Sequence, residues 1–398
     1  MQCLVVAIGD SVDSAFGNNI SVDTIVVMGS FLTISWFLSC LAKVGAYIFR
    51  IWQNRVWTCV VVSGAVSVIF GGLAVLFHNQ IIHIFSLTDV QYEMLGSIII
   101  LYGFCLPIIG IGEVLDMFCL MKGRMKCLVA ADVVFYILLI GLDILVVNLH
   151  LSCVWLVAGT MFSFLVFDLI LLFFTGILKE REPVRVKDCI LCLKHAANVL
   201  TSKISIRIAI IVMRSTVSNM GTAPYALYTV ANAVEEFNEN YIGAWENFLT
   251  VKIKQERPES RFLMTKDFFK KFYKFFFFLF CVSIPITTFV LKGDLNYFDV
   301  LFYACFVSLG NVFGFCERTF YANLSTFEKS SILRWDGVIG ASVRILCCLL
   351  VNATGGWLIG FLLCYPADTA CRAVYTYVMS KKTAAAVNAR LVADASTA

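Results

Sequence analysis

The chain has 398 residues, 60% of them hydrophobic and only 15% charged, with a formal net charge of +4. A soluble globular chain is about 45–50% apolar and about 25% charged, so this composition excludes a soluble fold. Its apolar runs of about 20 residues are long enough to cross a bilayer as helix. Because they are continuous rather than alternating, they also exclude an outer-membrane barrel.

The expected class is therefore an all-α, polytopic membrane protein. Twelve apolar segments follow one another, at 1–16, 24–49, 57–78, 93–121, 127–148, 154–178, 196–216, 225–250, 275–292, 298–322, 335–352 and 357–379. Lys and Arg stay on the cytoplasmic side of a membrane, and here they divide cleanly. Links 50–56, 122–126, 179–195, 251–274 and 323–334, with the tail 380–398, hold 23 of them, and the alternate links hold none. That partition predicts twelve spans with both termini cytoplasmic, in a plasma membrane. Met1-Gln2-Cys3 opens the chain without a basic n-region, so no cleavable signal is expected.

The first segment has only about 12 residues before Asp13, against the roughly 20 a span needs. Its helix is a stub, or the start is shortened. The long charged link after the sixth segment divides the chain evenly, as in many secondary transporters. The expected units are an N-terminal lobe over 1–178, a linker at 179–195, a C-terminal lobe over 196–379 and a tail from 380. A Gly/Asn turn recurs between the first and second segments of each half, at Phe16-Gly-Asn-Asn and at Ser218-Asn-Met-Gly221. Pro107 and Pro285 fall inside the fourth and ninth segments and are expected to kink them. Phe275 to Phe278, after Lys270-Lys271-Phe-Tyr-Lys274, reads as an interfacial anchor.

Charge inside the spans is the main functional signal. The first six carry Asp10, Asp13, Glu113, Asp116, Asp132, Asp143 and Asp168 against one base, Lys43. An unpaired carboxylate in hydrocarbon costs about 2.5–3.5 kcal/mol even on insertion scales. Such a surplus must bind a cation, hold protons or reach water. Asp13 near the outer end of the first segment and Asp143 in the outer half of the fifth can meet at one depth, as one cation or proton site. Glu113 and Asp116, spaced i,i+3, are a further acidic candidate. Asp132 and Asp168 lie near span ends and are read as solvated there.

Leaving aside Lys292 and Asp299 at segment edges, the last six spans carry seven acids with Lys203, Arg207, Arg214, Arg318, Arg344 and Arg372, a set able to neutralise itself. Lys203 and Arg207 are expected to pair with Glu235, Glu236 and Glu239 across neighbouring helices. The alternative is a substrate cavity lined by Arg207, Arg214 and Arg344. Walker A, GxSxG, HExxH and Gly-rich nucleotide turns are absent, so an enzyme and an ATP-driven pump are not expected, and neither are a cofactor or a resident metal. Most of the sixteen cysteines lie in apolar runs as small hydrophobes, and Cys189-Ile-Leu-Cys192 is a lone CxxC. Glycosylation sequons at Asn19, Asn323 and Asn352 are near chance expectation. Basic residues are dispersed, so no nucleic-acid partner is expected.

Four motifs in order resemble the multidrug and toxic compound extrusion (MATE) family. Val12-Asp13-Ser14-Ala15-Phe16-Gly17 resembles its V-D-x-x-F-x-G. Leu106-Pro107-Ile108 followed by Lys122-Gly123-Arg124-Met125-Lys126 resembles its helix 4–5 junction. Leu142-Asp143-Ile144-Leu145 resembles the N-x-x-L-D of its helix 5, the family's Asn falling on Leu139. Gly355-Gly356-Trp357-Leu358 resembles the start of its last helix. The resemblance implies two six-helix lobes around a central cavity, and export of organic cations or drugs in exchange for protons or sodium. It also implies that Asp13 and Asp143 form the cation site of the first lobe. Where members with a second-lobe cation site carry an acid, this chain has Lys203, Arg207 and Arg214. The expected partners are a small-molecule substrate and the bilayer, with the protein a monomer. Two other functions compete: a flippase for a lipid-linked or glycan-like amphiphile, and a diverged, non-transporting membrane component.

Overall fold

The computed structural model describes residues 21–49, 55–180, 182–327 and 330–397. Asp13 and the first segment lie outside them. All regular structure among the described residues is helical. The helices are α1 (Val22–Ala42), α2 (Val44–Phe49), α3 (Val56–Leu76), α4 (His78–Ile82), α5 (Asp89–Met121), α6 (Met125–Asn148) and α7 (Cys153–Phe174). After a 3₁₀ turn at Ile177–Lys179 come α8 (Val186–Ser218), α9 (Thr222–Lys254), α10 (Arg261–Leu291), α11 (Tyr297–Ser325), α12 (Ser330–Ala353) and α13 (Leu358–Thr397).

Eleven of these are long, and they match the second to twelfth apolar segments. Nine of the described helices are long and apolar enough to cross a membrane; α9 and α13 are not among them. Large side chains such as Phe104, Ile137, Phe173, Phe289 and Val374 stand well exposed on the outside of the bundle. Exposed apolar surface on this scale suits hydrocarbon rather than water. The chain is a multi-pass membrane protein.

Several helices outrun their apolar segments. α8 starts at Val186, inside the expected linker, and α13 runs to Thr397, through the expected tail. α10 starts at Arg261 because Phe268, Phe272 and Phe276, on one helical face, pack with Phe315 around Trp245 at ring separations of 4.9–6.0 Å. Hydropathy marks only the part of a helix that meets lipid, while the hydrogen-bonded turns beyond it continue into water. Phe275, Phe277 and Phe278 are exposed on α10 while Phe276 is buried, a disposition suited to anchoring. Pro107 and Pro285 lie inside α5 and α10, and Pro366 inside α13.

Local chemistry sets the helix starts. Ser21 caps α1 by accepting from the Thr24 N–H at 3.1 Å. Thr88 and Gln91 form a capping box at α5, and Gln91 also donates to Asp23 at 2.7 Å, joining the starts of α5 and α1. Gly221, at φ 105°, makes the turn between α8 and α9 where a side chain would be strained.

The helices pack as two bundles, α1–α7 and α8–α13. The bundles meet through α1, which packs on α8 and α9, and through α2 and α3, which pack on α8. In α1, 78% of the apolar stretch is buried, against 33–44% in the other eight candidate spans. One face of it (Val27, Met28, Phe31) packs with Ile98, Ile99 and Tyr102. The neighbouring Ile25 and Val26 enter the other bundle's core beside Met213, Val217 and Tyr225. At the end remote from the basic links the bundles are also hydrogen-bonded: Ser215 Oγ donates to the Ile84 carbonyl at 2.6 Å, and Ser86 Oγ donates to Asn219. On the opposite end Glu182 accepts from the Trp57 N–H (3.1 Å) and Thr58 Oγ1 (2.6 Å), and Arg55 pairs with Asp188.

Close helix approach is tested at Gly337. A Cβ there would lie 2.2 Å from the Ser202 carbonyl oxygen of α8, which no rotamer change relieves. Gly337→Ala is expected to lower thermal stability in detergent by about 1–3 kcal/mol. Gly243→Ala, where nothing lies within 4 Å, should not lower the melting temperature and is expected to raise it slightly, alanine being the better helix former.

Candidate functional site

Asp143 sits on α6 in Gly141-Leu142-Asp143, fully buried. Its helix is held close to α7 because Leu142 packs on Gly159, where a Cβ would come within 3.2 Å of it. The side chains one turn to either side, Leu139 and Val146, are apolar and buried. Asp143 is thus a carboxylate set into the bundle rather than onto lipid. Asp13, its expected partner, lies outside the described residues, so their juxtaposition is not part of the described geometry.

The second acidic candidate separates into two roles. Glu113 is bridged by Lys43 at 2.5 Å, each side chain about one-third exposed. Lys43 stands at the break between α1 and α2, where its N–H reaches back to Leu41 and Ser39 carbonyls. Asp116 is one turn along α5 from Gly112, on the same face. Here the structure corrects the reading of Asp132 and Asp168 as solvated at span ends: both are buried, at 6% and 9% exposure. Position within a few residues of a helix end does not give access to water when neighbouring helices cover that end. Asp168 lies directly against α5, its Oδ1 2.1 Å from where a Gly112 Cβ would stand. Only a glycine admits the carboxylate there. Glu113 and Asp116 are the charges that act on it.

In the second bundle charges do pair, but not in the expected combinations. Arg214, rather than Lys203 or Arg207, joins α8 to α9: it reaches Glu236 at 2.9 Å and donates to the Gly29 carbonyl of α1 at 2.9 Å. Arg318 of α11 holds Glu239 at 2.9 Å, Glu246 at 3.0 Å and its neighbour Glu317 at 3.2 Å. Arg372 of α13 holds Glu317 and Asp336, each at 2.8 Å. Arg344 pairs with Asp368, both buried. Interhelical pairing is the geometry of this set, and Arg214 and Arg344 are buried within it.

Arg207 differs from them. It is half-buried, and its guanidinium lies 5.0 Å from the Trp36 ring, with that of Arg214 at 4.8 Å from the same ring. Lys203, one turn away, stands 5.8 Å from the Tyr321 ring. Trp36, on the helix shared by the bundles, was invisible as a functional residue in the sequence. A lone Trp in an apolar run looks like packing, and only the fold brings two arginines from α8 to it. Two guanidinium groups about one ring, with Arg214 paired to Glu236, make an aromatic patch where the bundles meet that Arg207 renders basic. Among the described residues no group of three or more His, Cys, Asp or Glu is arranged to hold a metal ion. Asn323, one of the sequon matches, is buried and donates to Ser380.

The ion pairs make a direct test. Removing one partner of a buried pair leaves an uncompensated charge at a cost of about 3–5 kcal/mol. Arg372→Met is expected to lose that much in thermal unfolding, and the triple variant with Glu317→Gln and Asp336→Asn to regain most of it. Equal stability of the single and triple variants would contradict the pairing.

No family model matches the sequence, and no curated protein matches it either. Solved structures do match. An inward-facing multidrug resistance MATE transporter of the MOP superfamily aligns at 14% identity and TM-score 0.70, over 98% of this chain and 96% of that one. A MATE transporter in complex with MaD3S aligns at 14% identity and TM-score 0.73, over 97% and 94%. A MOP superfamily transporter from Pyrococcus furiosus, described as having a binding pocket of reverse polarity that suggests a different function, aligns at 13% identity and TM-score 0.71, over 97% and 94%. The likeness at these identities is one of architecture, and it spans nearly the whole chain: this membrane protein has the fold of the MATE transporters of the MOP superfamily.

Proposed function

We propose that the chain is a secondary active transporter that moves a small amphiphilic or drug-like molecule through the space between its bundles by alternating access, as a cation-coupled antiporter. The observation that carries this reading is a transporter fold with a fully buried carboxylate, Asp143, in its N-terminal bundle. A coupling ion needs a group whose charge state changes what the bundle prefers. Protonating Asp143, or the Asp13 site expected beside it, removes a buried negative charge and favours one arrangement, while substrate favours the other. Proton and sodium are the two candidate ions. Both termini face the cytoplasm in this proposal, following the basic links.

A second reading concerns polarity. The export of organic cations usually expected of this fold calls for acids and open aromatic faces. Here Trp36 is already covered by Arg207 and Arg214. That favours an anionic headgroup, as on a lipid-linked amphiphile, and a flippase-like role.

Reconstituted in liposomes, Asp143→Asn is expected to abolish pH- or sodium-driven transport while leaving folding intact. Undiminished coupled transport by that variant would refute the assignment. For substrate class, Arg207→Gln should weaken binding of a phosphate-headgroup amphiphile by tenfold or more, about 1.4 kcal/mol, and leave binding of an organic cation unchanged or improved. Weakening of the cation alone would reverse the polarity assigned here.

A further inference from the structure

The N-terminal bundle contains more negative charge than Asp143 and Glu113 account for, and one carboxylate is placed unlike the others. Asp168 is the only charged residue of α7 between Cys153 and Phe174. Its Oδ1 is buried and accepts no hydrogen bond among the described residues. That oxygen is pressed onto the backbone of α5 at Gly112. Gly112 shares a helical face with Asp116, one turn on, and precedes Glu113, so the oxygen is aimed into an acidic corner.

The groups facing Asp168 come from every helix packed on α7. α5 presents Glu113 and Asp116. α6 brings Asp132 at a similar depth, seven residues into its helix, with Asp143 further along. Among the described residues the cations nearest this part of the bundle are Lys43, which pairs with Glu113, and Arg124, which lies against Gly176 beyond the end of α7. The 3₁₀ turn that follows carries Lys179, which is exposed. A carboxylate in these surroundings lacks both the donors and the opposite charge that would hold it ionised.

We propose that Asp168 is a proton-binding site of the N-terminal bundle, separate from Asp143. The two are set apart in depth. Asp143 is five residues, about 7.5 Å, from the end of α6 that adjoins α7, and Asp168 is fifteen residues, about 22 Å, from the same side. Asp168 therefore lies about 15 Å nearer the basic links. In the protonated state its O–H becomes a donor and the uncompensated buried charge is gone. The bundle then holds a proton station on each side of its thickness. The part this plays in coupling rests on the transport reading above; the protonation itself does not.

The test uses the full chain in liposomes and does not depend on transport. Infrared difference spectra between acid and alkaline pH, with aspartate labelled at the carboxyl carbon, should contain a band from a buried protonated carboxyl. That band is expected to be lost in Asp168→Asn and kept in Asp143→Asn. An unchanged spectrum in Asp168→Asn would overturn the assignment. If that variant does not fold, the wild-type protein serves: a hydrophobic carbodiimide, which attacks protonated carboxyls in apolar surroundings, should modify Asp168, with loss of modification as pH rises. Peptide mass spectra in which Asp116 or Asp132 is modified and Asp168 is not would equally overturn it. Failure of Asp143→Asn to affect transport, with the Asp168 band present, would strike the coupling reading and leave this site standing.

Discussion

A charge carried into hydrocarbon has to be answered by something, and the two bundles answer it differently. In α8–α13 most of the buried acids find guanidinium groups: Arg214, Arg318, Arg344 and Arg372 each hold at least one. Such pairs roughly break even against apolar packing but are costly to half-remove, so they fix which helices are neighbours. In α1–α7 five acids lie within the spans against Lys43 alone. Paired charge fixes neighbours in one bundle; in the other, acids outnumber bases along the described spans.

α1 translates this difference into one molecule. It is apolar all round and more enclosed than any other candidate span, and it belongs to both bundles at once. Its Gly29 makes the closest approach, with no room for a Cβ beside Thr229 and a carbonyl that receives Arg214. Lower down the same helix Trp36 meets Arg207, and at its end Lys43 meets Glu113. A change in ionisation among the acids is thus one helix away from the surface where a substrate would pass.

Much of this was legible in the chain itself, and the reasons are physical. Hydrocarbon forces about 20 apolar residues per crossing, so the long helices stood out, including α9 and α13, which a simple hydropathy test misses. The alternation of Lys and Arg among links supported the count. Helix ends were less legible, because nothing about lipid stops the helix in water: α8, α10 and α13 all ran past their apolar segments. Partner choice was not legible at all. Lys203 and Arg207 looked set to pair with Glu235, Glu236 and Glu239, yet Arg214 takes Glu236 and Arg318 of α11 takes Glu239, since only packing decides which guanidinium arrives. Asp168 was misjudged for a related reason. Nearness to a helix end predicts water only if no neighbour covers it, and Gly112 lets α5 do so.

The attachment of the segment between the bundles has a mechanical meaning. Glu182 and Asp188 tie it to the start of α3, and Cys192 and Ala196 are buried in the core of the N-terminal bundle. Some turns later the same rod is wedged against α12 at Ser202 and Gly337. α8 is accordingly held by the N-terminal half near its start and again near its end, where Arg214 and Ser215 reach Gly29 and Ile84, with α12 against it between. A swing of one half against the other works against ties at both ends of this rod, which makes α8 a stiff spring rather than a leash.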